Sequence, residues 1–107
     1  MQNKYEECLL EFGYNEGFSL EKRTYVGDIS FIKLRDGLLR VGDILKEDMD
    51  NMIYVVSVKA GIFNKNHAVI ICGLENGKVT MIAFAREGLV KQNTCKKAMD
   101  KIEESIR

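Results

Sequence analysis

The side chains able to do chemistry in this 107-residue chain are few and scattered. His67 is the single histidine, and Cys8, Cys72 and Cys95 are the three cysteines. A nucleophilic cysteine needs a base beside it. His67 and Cys72 lie five apart on one extended run, so they project to opposite faces of a strand. A zinc site needs three or four ligands in clustered spacing, and the cysteines show no CxxC or Cys-His pattern. No metal and no cofactor are therefore expected. Three thiols without pairing logic read as small core hydrophobes in a reducing cytoplasm.

One arrangement remains open to an enzyme or small-ligand site: a pocket around His67 and Arg86, completed by Tyr54 and Cys95. A lone histidine at a strand start reads more readily as a half-exposed end residue than as a general base. The fragment GLENGK, residues 73–78, invites a phosphate-loop reading and fails it. A P-loop needs four residues between its glycines and Ser or Thr after the lysine, opening a helix. Here three intervene, Val79 follows Lys78, and the setting is strand, turn, strand.

Charge is the more informative property. Lys and Arg total 16, as do Asp and Glu, so nothing steers the whole chain toward nucleic acid. The basic edge Lys91, Lys96, Lys97 and Lys101 is followed by Glu103 and Glu104 and carries no interleaved aromatics, the pattern of a solvated helix face. Residues 1–53, however, hold seven basic and eleven acidic residues, and residues 54–107 hold nine and five. Within the acidic half, Asp43, Glu47, Asp48 and Asp50 cluster in a polar connection. They lack the glycine and distal glutamate of a calcium loop. As a carboxylate patch they would speed association with a cationic protein.

These groups must be positioned by a frame, and the frame is legible in parts. A chain of this length fits one domain, 1–107, with one core. No run nears the ~18 apolar residues of a membrane helix, and the N-terminus, with glutamates at 6, 7 and 11, has no apolar signal core. A cytoplasmic protein is expected. Tyr5, Cys8, Leu9 and Phe12 recur at i, i+3, i+4 and i+7, predicting a helix over 3–12 that Gly13 ends. Cys95, Ala98, Met99, Ile102 and Ile106 predict a second over 93–106, N-capped by Asn93 or Thr94.

Between them the period shortens to that of strands. Asn76-Gly77 between apolar runs is the strongest hairpin signal in the chain, and it sets Leu74 against Val79, Cys72 against Met81 and Ile70 against Ala83. Asp36-Gly37 suggests another hairpin, with Leu34 against Leu39, Ile32 against Val41, Ile29 against Ile44 and a bulge at Gly42 opposite Phe31. Residues 52–60 form a further strand, and 14–24 are a loop or a short edge strand. The expected class is α+β: an N-terminal helix, a mainly antiparallel sheet of four to five strands built from hairpins with turns at 36–37 and 76–77, and a C-terminal helix packed on it.

Strands 52–60, 67–75 and 78–86 are apolar on both faces, and two helices are expected to cover them. A face left bare would be an exposed apolar patch, which soluble monomers rarely tolerate. The reading that follows is a non-enzymatic protein-binding domain: a small inhibitor or immunity-type (antitoxin-like) protein that occludes a partner's surface. Asp43, Glu47, Asp48 and Asp50 would meet a basic toxin or nuclease-like domain. The alternatives are the His67–Arg86 pocket and a secretion-chaperone-like or structural homodimer made by pairing strand edges.

Overall fold

The computed structural model describes residues 4–59, 67–86 and 93–107. In chain order the elements are α1 (Lys4–Glu11), β1 (Ser19–Val26), α2 (Phe31–Val41), β2 (Gly42–Asp48), β3 (Ile53–Lys59), β4 (His67–Glu75), β5 (Lys78–Ala85) and α3 (Thr94–Ile106). The strands form one antiparallel sheet in the order β1-β5-β4-β3-β2. This is an α+β fold with a helix at each end of the sequence, α3 packed on the sheet.

The β4–β5 hairpin has the register set by its loop, Glu75 against Lys78 through Ile70 against Ala83. Asn76 at φ 50° and Gly77 at φ 75° take the paired left-handed conformations of a type I′ turn. It lies inside the sheet, with β3 on one side and β1 on the other. Its two apolar faces are then both accounted for, because each needs its own cover.

One face is covered by α2 and α3. Leu34, Leu38, Tyr54, Val56, Ile70, Cys72, Met81, Ala98, Met99 and Ile102 form the centre of a continuous buried layer. Phe31 stacks on Tyr54 at 4.1 Å between centroids, and the Tyr54 hydroxyl donates to the Phe31 carbonyl oxygen at 2.9 Å. The opposite face is covered by α1, which seats Cys8 on Ile53, Val55 and Ile71 with Tyr5, Leu9 and Phe12 around it. Tyr14 and Phe18 complete that cover by packing on Phe84. The two expected helices therefore lie on opposite faces, and a third joins α3.

That third helix corrects the expected turn at Asp36-Gly37. Residues 31–41 are helical, so the pairings of Leu34 with Leu39, Ile32 with Val41 and Ile29 with Ile44 do not exist. Phe31, Leu34 and Leu38 share one helix face, and the Ser30 side chain caps the helix by accepting from the Lys33 N–H at 3.1 Å. Gly37 is not at positive φ. It is buried where α2 crosses α3, and a Cβ there would stand 2.5 Å from Ile106 Cγ2. The glycine serves close helix approach, not chain reversal. The bulge falls at Leu45, between Ile44 and Lys46, rather than opposite Phe31. Of the ambiguous stretch 14–24, the part from Ser19 onward belongs to an edge strand paired to β5 along its whole length.

Candidate functional site

The acidic residues singled out above fall on β2 and the turn after it. Strand alternation sends neighbours to opposite faces, and the bulge at Leu45 resets the phase. Ile44 and Glu47 consequently lie on the α2 side, opposite Val56 and Tyr54. Asp43, Lys46 and Asp48 lie on the α1 side, opposite Ser57, Val55 and Ile53. The four carboxylates do not form one continuous patch.

Each has a different setting. Glu47 Oε1 meets Arg35 Nε of α2 at 3.2 Å. Its charge, added to burial, helps push the Tyr54 hydroxyl up to about 12. Asp48 shapes the β2–β3 turn: its two oxygens accept from the Asn51 side-chain amide at 2.8 Å and backbone N–H at 3.2 Å. Those hydrogen bonds hold its carboxyl below the usual range. Asp43 and Asp50 are exposed, and neither has a cationic partner among the described residues. Lys46, standing among them, pairs with Glu11 of α1 at 2.8 Å, which raises its pKa.

Where α2 runs beside β2, the two elements form an open groove of about 520 Å³. Its walls are Leu39 and Arg35 from α2 and Asp43, Ile44, Leu45, Lys46 and Glu47 from β2, with Gly42 at the junction. Leu39 is 50% exposed and Leu45 47%, a large apolar area for two side chains in one groove. Gly42 is required there by contact, since a Cβ would lie 2.3 Å from the Ser57 carbonyl oxygen. Arg35 and Glu47 pair across the groove and Lys46 pairs with Glu11 outside it, leaving Asp43 as the lining charge without an ion-pair partner among the described residues. Sequence reasoning reached Asp43 and Glu47 but missed Arg35, Leu39 and Leu45. Their signal was the helical period of 31–41, which places Leu39 off the buried stripe.

Of the alternative pocket's residues, His67 and Arg86 share one end of the β4–β5 pair, each one step beyond the Ala68–Ala85 pairing, while Tyr54 lies elsewhere. Tyr54 is buried under α2, while His67 is exposed at the far end of the other face, its Nδ1 3.2 Å from Ser57 Oγ. Cys95 is buried beneath α3, its thiol directed at the Ser19 carbonyl at 3.8 Å. Arg86 is exposed just beyond β5. Cys72 is fully buried, and burial pushes its thiol up to about 12, far from the depressed value of a reactive cysteine. Among the described residues no three His, Cys, Asp or Glu side chains converge as a metal cluster, and no helix is long and apolar enough to cross a membrane.

Comparison with protein-family models, curated proteins and solved structures gives no match. The functional reading rests on this chain's own geometry.

Proposed function

We propose that this chain is a protein-binding domain of the inhibitor or immunity type, which acts by laying its α2–β2 groove against a cationic partner. The observation that carries the reading is the groove itself: exposed Leu39 and Leu45 and, at its β2 rim, Asp43, whose side chain lies on the α1 side and has no ion-pair partner among the described residues. Apolar side chains give an interface its contact area, and charge at its rim governs association rate and partner choice. Outside the lining, Asp36 and Asp50 lack an ion-pair partner among the described residues, as do Lys33 and Arg40 of α2. The two basic side chains of the lining, Arg35 and Lys46, are paired with Glu47 and Glu11. Asp43 is thus the one charge of the lining left without an ion-pair partner among the described residues, which suits contact with a basic toxin or nuclease-like surface.

In this reading Asp43 and Asp50 contact the partner, while Glu47 and Asp48 hold the groove and its turn in shape. The test compares wild type with Asp43→Lys/Asp50→Lys and with Leu39→Asp in capture from a lysate of the source cell, with bound proteins identified by mass spectrometry. A specific partner held by wild type, lost by both variants and kept by a distant Glu16→Lys control is the expected result. Binding of the same proteins by all four forms overturns the assignment.

A further inference from the structure

The sheet has two edges, and they are unlike. β2 is seven residues long, bulged at Leu45 and flanked by α2, which are common protections against strand pairing. β1 is eight residues long and pairs to β5 without any register shift, from Ser19–Ala85 to Val26–Lys78. Its outer edge can be assigned from the ladder. Gly27 N–H donates to the Gly77 carbonyl at 3.2 Å, one step beyond the Val26–Lys78 pair. By antiparallel alternation, Tyr25, Arg23, Glu21 and Ser19 direct their backbone groups to β5. Leu20, Lys22, Thr24 and Val26 then direct theirs outward, and no described residue bonds them on that side.

We infer that this edge pairs with the same edge of a second copy, antiparallel about a two-fold axis at Arg23, joining two five-stranded sheets into one. The register follows from the side chains. Outward-facing residues must pair with outward-facing residues, so a two-fold axis can fall at Lys22, Arg23 or Thr24. An axis at Lys22 sets two exposed lysines directly opposite, which is destabilising. An axis at Thr24 leaves Leu20 beyond the end of the paired strand. An axis at Arg23 uses the strand from Leu20 to Val26. It sets Leu20, 47% exposed, against Val26 of the second copy, 72% exposed, at both ends of the seam, and pairs Lys22 with Thr24. Each Arg23 is already held by α3, at 2.7 Å from Asp100 and 3.5 Å from Glu103. Two guanidinium groups meeting at the axis are thus flanked by carboxylates from both copies, and their repulsion is neutralised. This surface is separate from the α2–β2 groove, which lies at the opposite edge; a dimer so built presents both grooves outward.

The decisive measurement is mass in solution by light scattering, from low micromolar to about 100 µM, where mass action favours association. A two-chain mass for wild type is expected. Val26→Asp changes a side chain that is largely exposed in one copy, so the fold survives while a carboxylate is set against Leu20 of the second copy; dissociation at least tenfold easier is expected. Thr24→Pro removes only an outward N–H and should give a monomer. Register is read by oxidation of variants that carry one added cysteine, with Cys8, Cys72 and Cys95 replaced by alanine. At a non-hydrogen-bonded antiparallel pair the Cα atoms are about 4.5 Å apart, within disulfide reach. Arg23→Cys should therefore cross-link to a covalent dimer and Lys22→Cys should not. A wild-type monomer at the highest concentration overturns the inference. A dimer indifferent to Val26→Asp and Thr24→Pro, or cross-linking at 22 in place of 23, overturns it equally.

Discussion

The two faces of the sheet are closed by unlike means. On one, α2 and α3 press a continuous apolar layer against β3, β4 and β5, with Leu34, Leu38, Ile70, Met81 and Ile102 wholly inaccessible. On the other, an eight-residue helix covers Ile53, Val55 and Ile71, and its own Tyr5 and Leu9, with Phe12 just beyond it, remain partly exposed. A helix that short has no stability of its own in water. Charged contacts at its ends fasten it: Lys4 to Glu75 at 2.8 Å and to the Asn51 carbonyl at 2.8 Å, and Glu11 to Lys46 at 2.8 Å. Surface ion pairs contribute little and weaken with salt. The lesson is one of division: the α2–α3 layer sets global stability, and the α1 layer is a separable unit that opens first.

Mutations can break or sharpen this contrast, and the largest effect belongs to the thick layer. Leu38→Ala and Ile70→Ala each leave a cavity under helices that cannot settle into it. About 3–5 kcal/mol should be lost in denaturant unfolding. Ile71→Ala on the α1 face removes a side chain of equal size and equal burial. Because one short helix can sink toward the gap, a loss of about 2–3 kcal/mol is expected; a loss matching that of Ile70→Ala would erase the distinction between the faces.

Gly73 offers a finer probe. Tyr5 lies directly across it, so that a Cβ there would stand 2.1 Å from the tyrosine oxygen. Gly73→Ala should displace Tyr5 and cost about 1–2 kcal/mol by overpacking. Hydrogen exchange should then quicken in α1 while α2 and α3 stay protected. The smallest perturbation leaves the protein unchanged. All three thiols are buried, but Cys8 lies under α1 and Cys72 and Cys95 under the thick layer. Under native conditions a thiol reagent should modify Cys8 first, with a rate that rises with added salt, and reach Cys72 and Cys95 only on global unfolding. Equal rates at the three positions would mean that α1 does not open by itself.

Much of this architecture can be read without coordinates, and the misreading is instructive. Asn76-Gly77 and Asp36-Gly37 look alike on the page, each flanked by apolar and β-branched residues. Only the first needs left-handed backbone, at Asn76 and Gly77. Gly37 is set by a tertiary contact, the approach of Ile106 and Ser105 from α3, and nothing local announces it. The capping Ser30 and the stripe Phe31, Leu34, Leu38 did carry the helical signal, in competition with a strong turn dipeptide. β1 was faint for another reason: Glu21, Lys22 and Thr24 are exposed, so neither of its faces shows a clean apolar alternation. At the candidate site the carboxylates were visible as a linear run. Their division between two faces depends on the bulge at Leu45 and on Arg35 arriving from α2, both products of the fold.

The pairing of β1 with β5 has a consequence for the chain as it is made. Leu20 and its partner Phe84 are separated by most of the sequence. At the usual pace of synthesis, about 5–20 residues per second, β1 waits several seconds for the strand that completes it. Throughout that interval both of its edges are open, and its own middle residues, Glu21, Lys22 and Arg23, are its defence against sticking to other nascent chains. The carboxylates that later pair with Arg23, Asp100 and Glu103, lie on α3, which emerges after β5. The strand thus stays charged while incomplete, and Arg23 gains its carboxylates only once α3 has formed.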